Sequence, residues 1–381
     1  MNILQDIIFY SFLGISCVYV ALIAFITIGW YSIKTCKLKK SERITTVTVI
    51  VPARNESLNI LECLNKITNQ HYPPQLLDFI IVDDCSTDNT ISLIKDFILK
   101  NPEKRITLIE LNDKHSSLKK QAISEAIKIA TGDLIVTTDA DCTMSPEWIS
   151  SIMYFYEITN AVMISGPVCF TRSNSFFSNM QELEFLSLIA SGAATMNFGL
   201  PTMSNGANLA YEKKAFIDVA GYDENKHHAS GDDIFLMHKI KKEMHRKISF
   251  LKCMDAVVET KPITYLNTFF NQRKRWASKS RGYNDISTIV IALIVFLTNF
   301  SLLSCFVLSF FSKSFLILFL ISFLLKFIID FPVLFGICSF LKKEKLLYFY
   351  IPVQVVYPVY IVLTAVSGLS GKYKWKDRIH S

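Results

Sequence analysis

Hydrophobic residues occur in two patterns along the chain: long runs towards its ends and short runs in its centre. Residues 7–33 form a nearly uncharged apolar run, long enough to cross about 30 Å of hydrocarbon. Further apolar runs follow at residues 288–311, 314–340 and 346–369. The pattern predicts an N-terminal membrane anchor and up to three more membrane segments after residue 287.

Charges around the first run indicate its orientation. Asp6 precedes the run without any Lys or Arg, whereas Lys34, Lys37, Lys39 and Lys40 follow it. Because cytoplasmic flanks are enriched in Lys and Arg, we expect an anchor whose C-terminal side is cytoplasmic. A cleaved signal peptide would have a basic front and a small-residue cleavage site, so the anchor is expected to stay uncleaved.

The same charge rule does not decide how many of the last three apolar runs cross the membrane. Three crossings after a cytoplasmic domain would place the tail outside, yet Lys372, Lys374, Lys376 and Arg378 favour the inside. Either the charge rule fails here, or one apolar run is re-entrant or interfacial.

Two charged residues interrupt the third run. Lys326 and Asp330 lie four residues apart, on one face of a helix. We expect them to neutralise each other and to face other helices. A contact with a lipid phosphate or with a polymer in transit is the alternative.

Between the apolar ends, short β-branched segments alternate with helical patterns. Residues 47–52, 79–82 and 134–138 predict strands, and residues 58–68 and 118–130 predict helices. This alternation predicts a parallel, doubly wound α/β sheet. In such sheets the ligand lies beyond the carboxyl ends of the strands.

Composition and charge narrow the class of protein. The chain is 51% hydrophobic and only 19% charged, against about 25% in soluble domains. Its net charge is +7, but residues 44–287 carry 26 Lys and Arg against 28 Asp and Glu. The basic surplus therefore lies beside the apolar runs, whereas a nucleic-acid-binding protein carries it on the folded domain. Nine cysteines without C-x-x-C spacing predict reduced thiols in a cytosol-facing protein.

Acidic residues follow two of the predicted strands. Asp139 and Asp141 come directly after one strand, and Asp83 and Asp84 end the preceding one. Mg²⁺ and Mn²⁺ take such carboxylate oxygens, often together with substrate phosphates. The sequence therefore predicts a site for Mg²⁺ or Mn²⁺ at this sheet edge. Neither a G-x-G-x-x-G nor a P-loop pattern is present.

Two later segments carry candidate chemistry. Asp232 and Asp233 begin a predicted amphipathic helix, where they could cap the helix or act as a general base. The segment 272–276 (QRKRW) precedes the second apolar run. It could be an interfacial anchor, or its Arg could bind phosphate while its Trp contacts a sugar or lipid.

Taken together, these segments resemble the membrane-bound family-two glycosyltransferases with the GT-A fold, a Rossmann-like nucleotide-diphospho-sugar transferase fold. The group includes cellulose, chitin and hyaluronan synthases and ceramide glucosyltransferases. The matching segments span roughly residues 47–276 and are VIVPARNE, IIVDDCSTDNT, KKQAISEAIKIATGDLIVTTDADC, NGANLAYEKKAF, GDDIFL and QRKRW.

The resemblance implies roles for fourteen residues. Asp233 would be the catalytic base, with Asp232 as the alternative because Gly231-Asp232 replaces the family's Thr-Glu. The residues implied in nucleotide-sugar binding are Ala53, Glu56, Asp83, Asp84, Lys120, Asp139 and Asp141. The residues implied in diphosphate or acceptor binding are Asn205, Gly206, Gln272, Arg275 and Trp276. Asp139 and Asp141 would hold the metal, Asp141 more directly.

The resemblance also implies an activity. It is inverting, metal-dependent transfer of a sugar from a nucleotide sugar, usually a uridine nucleotide, to a lipid, a lipid-linked glycan or a growing polysaccharide. Processive polysaccharide synthesis is the alternative within the family, although the small number of apolar runs speaks against it. A membrane transporter with a cytosolic nucleotide-binding regulatory domain is the alternative from another class.

The expected organisation follows from both arguments. Residues 1–33 would be the anchor, 44–287 the cytosolic GT-A domain ending in an interfacial segment, 288–370 a membrane region of two to three spans, and 371–381 a basic tail. We expect a multi-pass cell-membrane protein whose partners are a nucleotide sugar, a lipid or glycan acceptor and membrane lipids, without nucleic acid. The sequence does not indicate the donor sugar, the acceptor or the oligomeric state.

Overall fold

The computed structural model describes most of the chain. The described residues are 3–39, 44–112, 119–223, 231–278, 282, 285–369, 373–375 and 378–380. The linker residues 40–43 and the predicted tail residues 371, 372, 376, 377 and 381 lie outside them.

Ten strands belong to the part of the chain between the apolar ends. They are β1 (Val47–Ala53), β2 (Leu77–Asp83), β3 (Ile106–Glu110), β4 (Leu134–Thr137), β5 (Thr143–Met144), β6 (Met163–Ser165), β7 (Val168–Phe170), β8 (Leu209–Glu212), β9 (Ile248–Phe250) and β10 (Val258–Thr260). Seven of them form a central sheet in the order β3-β2-β1-β4-β8-β6-β9, and β5, β10 and β7 form a small second sheet. The tail adds β11 (Tyr373–Trp375) paired with β12 (Arg378–His380).

The central sheet is mixed, which corrects the prediction of a wholly parallel sheet. Strands β1 to β4 pair in parallel, as predicted. Strand β8 instead runs antiparallel to both β4 and β6. The register places Leu209, the first residue of β8, opposite Thr137, the last residue of β4. Because the chain enters β8 at the carboxyl edge of β4, it has to run back across the sheet.

The described helices fall into short ones around the sheets and long apolar ones. They are α1 (Ile3–Ser32), α2 (Ile60–Thr68), α3 (Thr90–Lys100), α4 (Lys119–Ile129), α5 (Trp148–Thr159), α6 (Phe176–Asn197), α7 (Lys213–Asp218), α8 (Asp232–Met244), α9 (Leu266–Ser278), α10 (Ile286–Leu308), α11 (Lys313–Phe340) and α12 (Tyr350–Leu369). Short 3₁₀ helices occur at Pro74–Leu76, Met254–Ala256 and Glu344–Phe349.

Four of the described helical segments are long and apolar enough to cross a membrane. They comprise α1, α10, α11 and the stretch Glu344–Gly368, which contains α12. Their outward faces carry exposed Leu, Ile, Val and Phe side chains, as expected for helices surrounded by lipid. This composition is consistent with the predicted membrane protein.

The long helices and the sheet share one hydrophobic core. Trp30, near the end of α1, is 1% exposed and packs beside Phe250 of β9 and Phe340 of α11. The Lys252 ammonium lies 4.1 Å from the Trp30 ring centroid and donates to the Trp30 carbonyl at 3.1 Å. The sheet is therefore held directly against the ends of α1 and α11.

Candidate functional site

A cleft of about 440 Å³ lies where β1, β2 and β4 end. Twelve of the fourteen residues singled out from the sequence line it, although they come from distant parts of the chain. They are Ala53, Glu56, Asp84, Asp139, Asp141, Asn205, Gly206, Asp232, Asp233, Gln272, Arg275 and Trp276. The two that do not line it are Asp83 and Lys120.

The first wall of the cleft is built by the chain leaving β1 and β2. The Asp84 amide donates to the Ala53 carbonyl at 2.8 Å, and Arg54 Nη1 donates to the Asp84 carbonyl at 2.5 Å. The Glu56 amide donates to Thr90 Oγ1 at 2.8 Å. These bonds fix the backbone of both loops, so the Asp84 and Glu56 side chains have a defined place in the wall.

Asp83 lies beneath this wall. It is 1% exposed, and its Oδ2 accepts a hydrogen bond from the Ser86 amide at 2.9 Å. This contact closes the turn that follows β2. Asp83 is therefore placed to shape the loop that carries Asp84, and its predicted role in nucleotide binding stays a prediction.

The two acids after β4 form the candidate metal site. Ligand atoms of Asp139, Asp141 and Cys142 lie within 4.8 Å of one another. Burial, reinforced by the neighbouring Asp141 carboxylate, raises the pKa of the Cys142 thiol well above its usual value. A protonated thiol is a poor ligand for a hard cation, whereas paired carboxylates suit Mg²⁺ and Mn²⁺. The residues therefore fit a divalent metal held by Asp139 and Asp141.

A lysine that was not singled out from the sequence lines the cleft beside its acidic residues. Lys119 Nζ is 2.6 Å from Asp139 Oδ1 and 3.5 Å from Asp232 Oδ2. Burial lowers the pKa of Lys119, but the Asp139 and Asp232 carboxylates outweigh it, so the net shift is upward. The ammonium is therefore charged at neutral pH and bridges two of the acidic segments.

The neighbouring Lys120, chosen from the sequence, points elsewhere. It is 3% exposed, and its Nζ lies 4.6 Å from the ring centroid of Phe235. The helical period of α4 could have revealed this, because Lys120 shares the buried face of that helix with Ile123 and Ile127. Lys119 lies one position to the side of that face.

The start of α8 brings two more acids into the cleft. Gly231 precedes the helix with a φ of +88°, a left-handed conformation that suits glycine. Asp233 Oδ1 accepts from the Ile234 amide at 2.8 Å, and its Oδ2 accepts from the Gly206 amide at 3.3 Å. A Cβ on Gly206 would lie 3.0 Å from Asp232 Oδ2 and 3.1 Å from Lys119 Nζ, so a larger residue there would push both charged side chains aside by a few tenths of an ångström.

Helix α9 closes the cleft on the side of the membrane helices. Its residues Gln272, Arg275 and Trp276 line the cavity, and α9 packs against α12. The Trp276 ring lies 6.1 Å from the ring of Phe185 on α6, centroid to centroid. The basic-aromatic segment therefore reaches both the cleft and the membrane helices, as both of its predicted roles would require.

The sequence matches two families of known enzymes. The family described as "Glycosyl transferase family 2" matches residues 48–219, and the one described as "Glycosyl transferase family group 2" matches residues 134–362. The second match covers more than half of the chain, including the acids after β4, the start of α8 and the α9 segment.

Curated relatives match over part of the chain. Glycosyltransferase AglE of Haloferax volcanii is 30% identical over 149 residues, which cover 37% of this chain and 48% of the relative. Poly-beta-1,6-N-acetyl-D-glucosamine synthase of Staphylococcus epidermidis is 25% identical over 244 residues, 63% of this chain and 56% of the relative. The chain thus spans about half the length of the curated relatives it matches.

A solved structure matches over nearly the whole chain. Mannosyltransferase PcManGT from Pyrobaculum calidifontis, in complex with GDP-Man and Mn²⁺, superposes with a TM-score of 0.61 and 19% sequence identity. The match covers 96% of this chain and 97% of that chain. This likeness and the family match confirm the predicted GT-A-like fold with its added apolar helices.

Proposed function

Since the chain belongs to the family-2 glycosyltransferases, we propose that it transfers a sugar from a nucleotide sugar to a lipid, a lipid-linked glycan or a growing polysaccharide. One observation carries this proposal. Acids from three distant segments, represented by Asp84, Asp141 and Asp233, line a single cleft at the carboxyl edge of the sheet. Ligands of such sheets bind at this edge, and carboxylates there can hold a divalent cation that in turn binds the diphosphate of a nucleotide sugar.

The proposed reaction is an inverting displacement at the anomeric carbon. Asp233 accepts the proton of the acceptor hydroxyl as the new carbon–oxygen bond forms, and the bond to the nucleoside diphosphate breaks on the opposite face. Two observations favour Asp233 over Asp232 as the base. The Ile234 and Gly206 amides hold the Asp233 carboxylate in place, whereas Asp232 Oδ2 lies 3.5 Å from Lys119 Nζ and is already paired with a cation.

The leaving diphosphate needs positive charge around it. Lys119 and Arg275 line the cleft and would supply this charge from the chain itself. Asp139 and Asp141 would hold Mg²⁺ or Mn²⁺, which, when bound, offsets charge on the diphosphate. Asp139 already pairs with Lys119 at 2.6 Å, and this supports Asp141 as the more direct ligand.

The acceptor is proposed to arrive from the membrane side. Gln272 and Trp276 lie on α9, which packs against the candidate membrane helix α12. An indole face suits a sugar ring or the head of a lipid. Residues 44–287 would then be the cytoplasmic catalytic domain, between an anchor at 1–33 and a membrane region at 288–370.

Transfer of single sugars is favoured over processive synthesis. The two charged residues inside α11 satisfy each other, because Lys326 bonds to Asp330 and also to Gln354 of α12. This closed arrangement supports an enzyme without a polar channel for a growing chain. A uridine nucleotide is the proposed donor.

The proposal is tested with the purified full chain in detergent. It is incubated with Mn²⁺, radiolabelled UDP-N-acetylglucosamine, UDP-glucose or GDP-mannose, and bacterial or eukaryotic lipid extracts. We expect label to pass from one donor into a lipid or glycan product, whose mass gives the sugar, the acceptor and the chain length. NMR of the product should show the inverted anomer.

The matched control is the isosteric variant Asp233→Asn, which should bind the same donor without forming product. Transfer by this variant at the wild-type rate would refute the assignment of the base. A wild-type protein that binds none of the donors and forms no product with any of them would refute the enzymatic proposal itself.

A further inference from the structure

An arginine without a place in the cleft lining is buried inside the α9 segment. Arg273 is 2% exposed, although Gln272 before it and Arg275 and Trp276 after it line the cavity. Its Nη1 donates to Gln272 Oε1 at 3.1 Å, and its guanidinium carbon lies 4.0 Å from the ring centroid of Trp276. The guanidinium thus contacts Gln272 and Trp276, the first and last residues of the segment 272–276, without lining the cavity itself.

The guanidinium is itself held from two other helices. Its Nη2 is 2.5 Å from Glu184 Oε2 on α6, and Glu184 Oε1 accepts from the Tyr360 hydroxyl on α12 at 3.3 Å. The ring of Phe269 lies 4.7 Å from the guanidinium carbon. Arg273 is therefore fixed by α6 and, through Glu184, by the membrane helix α12.

This arrangement restricts the indole of Trp276. A planar guanidinium stacks on an aromatic face and keeps its orientation when a carboxylate binds it. Because Arg273 is buried and paired with Glu184, rotating it away would leave a charge without a partner. The Trp276 ring therefore rests on a support that cannot easily move.

We propose that Arg273 is a positioning residue, which holds Trp276 and Gln272 in the orientation that receives the acceptor, with Glu184 and Tyr360 as its anchor. This inference rests on the proposed function. It assigns Arg273 no contact with the substrate, because the residue acts through its two neighbours. It also links the membrane helix α12 to the acceptor end of the cleft.

The test removes both buried charges at once. Arg273→Met alone would leave the Glu184 carboxylate buried without its partner and could fail to fold, so Arg273→Met is combined with Glu184→Met. We expect the double variant to lose about 10- to 100-fold in kcat/KM for the acceptor, as expected for a misplaced contact group. Donor affinity, measured with the nucleotide sugar that the wild type uses, should stay within about twofold.

Two further variants separate positioning from a general structural role. Arg273→Lys keeps the positive charge but loses the flat guanidinium. Its KM for the acceptor should therefore lie between that of the wild type and that of the double variant. Lys274→Met removes a neighbouring positive charge from the same helix, and serves as the matched control with nearly unchanged kinetics.

A double-mutant cycle tests whether Arg273 affects acceptor use through the Trp276 ring. In a Trp276→Phe background, adding Arg273→Met and Glu184→Met should cost much less than it does in the wild type, because the supported ring is already changed. Fully additive losses, wild-type acceptor kinetics, or an equal loss of donor affinity would each overturn the proposal. Since these comparisons need an active wild type, absence of any transfer would instead reject the proposed function.

Discussion

Two clusters of buried charge in this protein have the same kinds of side chain and different surroundings. Among the long apolar helices, Lys326 Nζ is 2.5 Å from Asp330 Oδ2 and 2.8 Å from Gln354 Oε1, while the Tyr19 hydroxyl donates to Asp330 Oδ1 at 2.8 Å. The predicted pair facing other helices is therefore confirmed. Lys326 is 2% exposed and opposes one carboxylate.

The cleft cluster is open and unequal in charge. Its lining contains six carboxylates and four cations, and the Asp139 side chain is still 38% exposed. An excess of carboxylates facing a cavity attracts a further cation, whereas a closed, neutral cluster between apolar helices does not. Buried charge alone therefore does not indicate a functional site, whereas an unbalanced cluster of charges beside a cavity makes that cavity a candidate.

Neutralising the proposed base should have the largest effect on activity. Asp233→Asn keeps the size of the side chain and can still accept from one of the two amides, those of Ile234 and Gly206, that bond the carboxylate. It cannot take a proton from an acceptor hydroxyl. We expect kcat to fall by about 10²- to 10⁴-fold. Turnover with the donor and acceptor identified for the wild type measures the loss, and donor affinity should be retained.

Asp232→Asn is the companion variant, because it neutralises the other acid of the same helix start. It should lose less activity than Asp233→Asn. The reverse order would transfer the role of base to Asp232.

Breaking the cluster of Lys326, Asp330 and Gln354 should instead lower the free energy of unfolding. Lys326→Met leaves Asp330 without its cation in an apolar surrounding, which should destabilise the fold by about 3–5 kcal/mol. Thermal unfolding in detergent measures this loss, and the kcat of the molecules that remain folded should not change. A combined Lys326→Met and Asp330→Leu variant should regain most of the lost stability, because no charge is left unpaired.

A folded but inactive Lys326→Met protein would contradict this distinction between the clusters. It would instead support the alternative reading of the pair as a contact for a lipid phosphate or a passing polymer.

Much of the fold could be predicted because local patterns determine it. The strand after residue 46, the one ending at Asp83 and the one before Asp139 are short β-branched runs with polar ends, and the apolar helices are long and uncharged. The direction of β8 could not be predicted in this way. It depends on where the chain re-enters the sheet, and strands of either direction can have the same sequence pattern.

The cleft residues that follow strands could be predicted from the sequence more reliably than those that lie on helices. Asp141 and Asp84 follow strands directly, so their position follows from sheet geometry. On α4, one residue step is a rotation of about 100°. That step separates Lys119, which enters the cleft, from Lys120, which does not. The partnership of Arg273 with Glu184 joins residues 89 positions apart, and its signal lies in tertiary packing.

Binding of a divalent cation should distinguish the two clusters, because, of these two sets of described residues, only the cleft cluster contains a candidate metal site. Asp141→Ala should weaken Mn²⁺-dependent binding of the nucleotide by about tenfold or more, since one hard oxygen ligand is lost. Isothermal titration of the nucleoside diphosphate with and without Mn²⁺ measures the effect.

Asp255→Ala, which removes a carboxylate outside the cleft lining, is the control and should leave the metal dependence unchanged. An affinity of the Asp141→Ala protein that still rises with Mn²⁺ as in the wild type would remove Asp141 from the metal site.

The smallest expected effect concerns His238, a partly buried histidine at the contact between α8 and α10. His238 of α8 lies 3.2 Å from Thr288 Oγ1 of α10, and burial lowers its pKa to about 4 from the usual 6.5, although Asp285 opposes the shift. Below pH 6.5 the unfolded chain binds a proton that the folded chain does not, so stability falls as the pH falls towards 4. From pH 7 to pH 5 the loss should be about 1–2 kcal/mol. His238→Gln, which can still bond Thr288, should show a smaller decline in melting temperature over this range; parallel declines would show that His238 is not the group responsible.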